Sequence, residues 1–418
     1  MLNSLNYKHI HRLAIPALIS GIAEPILSIT DIAIIGNVDY DAIEALGAVG
    51  IVGTFLSMLI WVFGQQRSVI ASIVSQALGA NKIEDVKTLP AQAIAIILSF
   101  SIVIIAFSYP FANELFSFYN ASGSILNYSV EYYKIRVIGI PFTLITIGVF
   151  GIFRGLQNTY IPMIIAIFGT LLNILLDFIF VYGIQDIIAP MHIKGAAYAS
   201  VIAQISMSLL AIIYLYKKTT IKLTFKLPLN KKINDFLAKF YNLIIRTLAL
   251  NIALYFGSSF AAKYGDDYIA AYTIAINLWF LGAFIIDGYS SAGTILAGKL
   301  FGQKSYDMLL KLSKKLILIG VVIGLILLII GLLFYDNFGY VFQTSRLLPW
   351  LTVRENVELV CETDSPNFNS DSIDFLLESF GLKDFLNFFG DLKNHFPSFL
   401  FNLPIHLSNS LTLTSGTL

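Results

Sequence analysis

Asp31, Asn173 and Asp177 bring proton acceptors and oxygen ligands into stretches that are otherwise apolar. Asp31 lies in Leu13–Val38, LAIPALISGIAEPILSITDIAIIGNV, a run long enough to cross a bilayer as a helix. Asn173 and Asp177 lie four residues apart in GTLLNILLDFIFVYG, one helical turn, so the amide and the acid face one way. A carboxyl group inside an apolar span is costly and usually functional. A group that gains and loses a proton, or holds a small cation, suits a carrier driven by a proton or sodium gradient. The plainer alternative for each acid is a solvated residue near a helix end. A joint site requires the two spans to be neighbours.

Other polar residues form a second tier. Ser20, Glu24, Ser28 and Asp31 recur at spacings of four, four and three and share a helix face. Pro16 and Pro25 each remove a backbone donor and are expected to bend that helix. Glu24 is either a further cavity group or a partner for backbone freed at Pro25. Gln65, Gln66 and Arg67 make a polar break in the second span; they line a cavity or snorkel from a long helix. Asp287, beside Gly288, serves a second polar site or caps a helix break. Tyr132 and Tyr133 read as an interfacial belt rather than a ligand cage. No nucleophile–base pair, HExxH site or Walker A loop is present, so an enzyme is not expected. The one cysteine, Cys361, excludes an intrachain disulfide and CxxC metal chemistry, and no cofactor or nucleic-acid partner is implied.

The elements that must position these groups are membrane helices. Of 418 residues, 57% are hydrophobic and 13% charged, about half the ~25% charged share of soluble domains. The fold class is an all-α polytopic membrane protein. Nine spans are expected, near 10–38, 45–78, 90–112, 128–157, 160–184, 194–216, 236–262, 268–298 and 313–335. The first is a retained span, too long for a signal peptide. Basic residues cluster before it and in the even connections, with Lys82 and Lys87, then Arg154, then the lysines of 217–232, then Lys299 to Lys315. The odd connections are acidic, so the N-terminus is expected in the cytoplasm, with the chain in the cytoplasmic (inner) membrane.

An internal repeat is legible. Phe63–Lys82, FGQQRSVIASIVSQALGANK, overlies Ile286–Ser305, IDGYSSAGTILAGKLFGQKS, at a constant offset of 223 residues, with Gly79 on Gly302 and Ser68 on Ser291. An even number of spans separates the copies, so the repeat is parallel. The organisation expected is a first six-helix lobe over 1–216, a basic connection over 217–235, a partial second lobe of three helices over 236–337, and a foreign tail over 338–418.

Taken in order, IPALISGIAEPILSITDIAIIGN, SQALGANK, RGLQNTYIPM, LLNILLDFIFVYG, IKGAAYASVIA and IDGYSSAGTILAGKLFGQ resemble the multidrug and toxin extrusion (MATE) transporters, most closely their DinF-like branch. The resemblance covers about residues 13–334. It implies a two-lobe helical antiporter, working by alternating access, that exports organic, often cationic, small molecules in exchange for protons or sodium. Asp31 matches that family's first-helix aspartate, and Asn173 and Asp177 its fifth-helix pair. Ser200 stands where the family often has threonine, and keeps the hydroxyl. Membrane lipid and a small-molecule substrate are the partners expected, and the chain is expected to be a monomer.

The pattern departs from the family after the ninth span, leaving the second lobe truncated. From Tyr340, YVFQTSRLLPWLTVRENVELV and then SIDFLLESFGLKDFLNFF resemble the Q-loop region of an ABC-transporter ATPase, with Gln343 as the Q-loop glutamine. Without a Walker A nest no nucleotide binding is expected. The alternatives to a transporter are an inactive truncated or fused membrane protein, and a lipid-linked oligosaccharide flippase of related architecture. The cavities of such flippases tend to be strongly cationic, whereas the intramembrane charges here, Arg67 apart, read as acids.

Overall fold

The computed structural model describes residues 6–37, 41–184 and 187–333, with the side chains of 23–25, 27–29, 266–267, 270–271, 274 and 278 outside the description. The first compact unit runs to Ile330, and of the second only the last turn of a helix is described. The tail expected over 338–418, Gln343 included, lies outside the described residues.

The described chain is helical apart from its connections and one isolated bridge between Ile184 and Ile188. In order come α1 (Tyr7–Ile35), α2 (Ala42–Phe63), α3 (Gln66–Gly79), α4 (Leu89–Ser108), α5 (Ala112–Phe118) and α6 (Gly123–Arg136). Then follow α7 (Ile140–Gly155), α8 (Tyr160–Val181), α9 (His192–Lys218), α10 (Ile233–Tyr264), α11 (Asp266–Gly302) and α12 (Tyr306–Leu333). Among the described residues, 8 helical stretches are long and apolar enough to cross a membrane, with α2–α3 and α6–α7 each counting as one. The 29-residue α1, where the sequence predicts the first of its nine spans, is also long enough for a bilayer.

The second span breaks at Gly64–Gln65, where α2 ends and α3 begins. In the first, α1 continues as one helix through both Pro16 and Pro25, so bending there leaves the helix unbroken. Each proline frees only the carbonyl four residues earlier, a loss that neighbouring helices and polar side chains can absorb.

Helices in lipid gain little from the hydrophobic effect, so close packing needs small residues at crossings. On α7, Gly148, Gly151 and Gly155 form such a stripe against α3; a Cβ on Gly151 would lie 2.7 Å from the Arg67 carbonyl. The crossing of α3 with α11 follows the 223-residue offset. A Cβ on Gly79 would collide with the Lys299 carbonyl, and one on Gly302 with the Gln76 carbonyl. Gln76 and Lys299 are themselves repeat counterparts, as are Gly79 and Gly302. Gly298 lies on the side chain of Ser75, its own counterpart. Every contact therefore has its mate in the other copy, as a local two-fold relation requires.

The copies differ in what covers them. In the first, α7 fills the groove beside Arg67, Ile70, Ala71 and Val74. Their counterparts Ser290, Gly293, Thr294 and Ala297 line an apolar groove of about 430 Å³ between α11 and α12. Correspondingly, only 6% of the apolar stretch of α10 and of α12 is buried. The connection after α9 is pinned rather than free: Gln92 on α4 donates to the Lys226 carbonyl (2.7 Å) and accepts from the Asn230 backbone N–H (2.7 Å).

The reciprocal crossing gives a paired prediction. Gly79→Ala and Gly302→Ala should each lower thermal stability in detergent, by ~1–3 kcal/mol. Gly320→Ala, where an added Cβ meets nothing within 4 Å, should change it by no more than ~0.5 kcal/mol. Equal melting temperatures for all three would contradict the crossing.

Candidate functional site

Four helices converge on the acids. Helix α1 brings Asp31, α8 brings Asn173 and Asp177 on one turn, α9 brings Ser200, and α6 brings Tyr132 and Arg136 on one turn. The pairs α1–α8 and α8–α9 pack along one another, so the first and fifth spans are neighbours. Asp31 is 4% exposed and Asp177 0%, both turned inward and away from lipid.

Asn173 Nδ2 donates to Ser200 Oγ (3.3 Å), and Ser200 Oγ donates to Asp31 Oδ2 (3.4 Å). The carboxyl groups of Asp31 and Asp177 lie within hydrogen-bonding reach of each other. As carboxylates they leave Asp31 Oδ1 and both Asp177 oxygens buried without a donor, and Asn173 Oδ1 is in the same position. Two full charges at ~4 Å repel by about 4 kcal/mol at an effective dielectric of 20. One proton shared by the pair removes that repulsion and supplies the missing donor. The oxygen set also has the chemistry of a sodium site, although no cluster of three or more His, Cys, Asp or Glu occurs among the described residues. Arg136 lies within electrostatic reach of both acids, and its Nε donates to Tyr132 Oη (3.3 Å).

Asp31 opens onto a cavity of about 780 Å³, the size of a site for a drug-like molecule. The cavity walls come from the first bundle and, through Asn251, Asn277 and Phe280, from α10 and α11. Trp61, Phe150 and Met207 are among its apolar lining.

The residues singled out from sequence separate clearly. Asp31, Asn173, Asp177 and Ser200 are brought together, and Arg67 lines the cavity with Asp31. Gln66 does not, because its buried amide donates to the Leu144 carbonyl (2.8 Å). Gln65 turns back to the Trp61 carbonyl (3.2 Å), and Asp287 is exposed away from the cavity. Glu24 lies among the side chains outside the described set.

Four residues were misread or missed. Tyr132 and Tyr133 are not an interfacial belt: both are buried, Tyr132 against the cavity and Tyr133 with Phe55 and Phe116. Arg136 was not singled out, although it stands one helical turn from Tyr132, among Glu131 and Lys134. Arg154 is no connection charge. It is 3% exposed in the last turn of α7, where Nη1 donates to Ser291 Oγ (2.9 Å) and Nη2 to Ser20 Oγ (2.9 Å) and the Ala17 carbonyl (3.4 Å). Embedded charge is therefore not confined to acids and Arg67.

The described chain is thus a multi-pass helical membrane protein with a central cavity and an inward-facing acid pair. The MatE family model matches residues 16–179 and 243–350, and the chain belongs to that family. The second matched segment reaches into the first residues of the ATPase-like stretch. DNA damage-inducible protein F of Escherichia coli (strain K12) is 25% identical over 307 residues, covering 72% of this chain and 65% of the relative. Multidrug export protein MepA of Staphylococcus haemolyticus (strain JCSC1435) is 24% identical over 289 residues, covering 68% and 62%. A crystal structure of MATE in the bent conformation superimposes with a TM-score of 0.73 at 24% identity over 79% of this chain and 73% of that one, a likeness of fold. The chain spans between 36% and 65% of the length of its first curated relatives.

A hydrophobic carbodiimide, which attacks protonated carboxyls, should modify Asp31 or Asp177 near neutral pH. Peptide mass spectrometry should find the adduct there and find it lost in Asp31→Asn with Asp177→Asn. Adducts confined to exposed acids such as Glu84 would show that the pair holds no proton.

Proposed function

We propose that this chain is the membrane-embedded part of a secondary active exporter that moves an organic small molecule out of the cell against proton entry. The observation that supports it is the acid pair: Asp31 borders the cavity while Asp177 stands behind it, on a different helix. Loss of the shared proton puts like charges in contact across α1 and α8, and gain of it relieves them. Protonation thus biases how α1 packs, and a ligand favouring one packing is coupled to the proton by the same free energy. Proton rather than sodium is the coupling ion favoured here, because Arg136 already supplies a fixed cation near the two carboxyls.

The working parts are a first lobe over 1–216, the basic connection over 217–235, and a partial second lobe over 236–337. Opposed rocking of these lobes would give alternating access. The chain would sit as a monomer in the cytoplasmic membrane with its N-terminus inside, as the alternation of basic and acidic connections supports. Membership of a transporter family argues against an enzyme and against a bound cofactor.

Proteoliposomes test this directly. Acid-outside vesicles should show uptake or release of an organic dye driven by the proton gradient, abolished by a protonophore and by Asp31→Asn. Export by Asp31→Asn at the wild-type rate, or export driven by sodium alone, would remove the assigned role.

A further inference from the structure

Arg67 is a cation inside the bundle that the proton site does not use. It lines the cavity, its Nε is buried with no acceptor, and it joins none of the ion pairs among the described residues, which are Lys87–Glu84, Lys194–Glu131 and Lys239–Asp235. A second cation, Arg154, lies within electrostatic reach of it, but that one is occupied by Ser20 and Ser291 and also has Asp287 within reach. Of the charged residues lining the cavity, two are arginines and one is Asp31, and Asp31 is engaged by Ser200 and Asp177. The break after α2 makes Arg67 the second residue of α3 and sets it beside the cavity. An unpaired guanidinium is expensive at membrane depth unless something fills the role of its partner.

We infer that Arg67 seats the anionic group of an amphiphilic ligand, with the apolar body held by Trp61, Phe150 and Phe280. A planar guanidinium offers paired donors to a carboxylate, sulfonate or phosphate. Trp61 and Phe280 stand edge to face at 6.1 Å and form an aromatic wall on the cavity. This substrate class rests on the export reading above, and differs from the cationic cargo that the family resemblance implies. The anion is carried either by a soluble organic acid or by a lipid headgroup.

The experiment uses the purified full chain in phosphatidylcholine nanodiscs and two probes with the same ring and chain, pyrenebutyrate and pyrenebutylammonium. Binding is read by energy transfer from tryptophan. The wild type should bind the butyrate roughly tenfold or more tightly than the ammonium probe. Arg67→Gln should erase that preference, and Arg67→Lys should keep most of it, which guards against a folding defect. Replacing phosphatidylcholine with phosphatidylglycerol separates the sources: competition assigns the site to an anionic headgroup, and its absence to a soluble acid. A wild type that prefers the ammonium probe, or an Arg67→Gln variant with an unaltered preference, would overturn the assignment. Binding is read without an ion gradient, so failure of proton-driven export leaves this result standing, and loss of the charge preference leaves export to be judged on Asp31.

Discussion

Charge that enters a bundle of membrane helices has to be answered by other groups of the protein, since hydrocarbon offers nothing. That constraint organises this molecule. Asp31 and Asp177 meet each other, Ser200 and the field of Arg136; Arg154 meets two hydroxyls and a carbonyl. Each meeting takes place where different helices join, so every embedded charge is also a statement about which helices must touch. The last part of α12, residues 317–333, carries no charge and is largely exposed.

Glycine does the complementary work of letting those helices come close enough. The α3–α11 crossing depends on Gly79, Gly298 and Gly302, and the α3–α7 packing on Gly148, Gly151 and Gly155. Arg154 sits one residue before the last of these and reaches across to Ser291, the repeat counterpart of Ser68. Backbone proximity and the arginine tie therefore reinforce one another: without the glycines the guanidinium would stand too far from α11, and without its hydroxyl partners it would be a stranded charge. The same duplicated crossing that relates the two copies also joins them.

Much of this was legible in the chain. Apolar length predicts the nine spans, because a bilayer imposes a minimum that few other environments do. The cost of an intramembrane acid singles out Asp31 and Asp177, and helical spacing adds Asn173. Identities at a fixed offset reveal the repeat, down to the glycines that later prove to be in contact. What stayed hidden has a common cause. Arg154 and Tyr132 lie near the ends of their predicted spans, where a local window reads a charge as topogenic and an aromatic as interfacial, while Arg136 stands among Glu131 and Lys134, where one more charge draws no notice. Only the arrangement of other helices buries them. Gln66 erred in the opposite direction: a polar residue in an apolar run looked like a cavity wall, yet it serves the carbonyl of Leu144.

Helix α1 shows how these parts combine. Midway along it, Ser20 and the Ala17 carbonyl accept from the Arg154 guanidinium. Near its end, Asp31 accepts from Ser200 and lies against the carboxyl of Asp177. Between the two, Pro25 brings no N–H, so the Gly21 carbonyl lacks its helical donor. The Arg154 tie and the acid pair thus hold α1 at two places about three turns apart. Under the export reading, a change of charge at the Asp31 end would repack α1 there while the Arg154 tie holds the other. Local repacking of one wall, rather than disassembly of the bundle, is the motion that this distribution of fixed and removable charge permits.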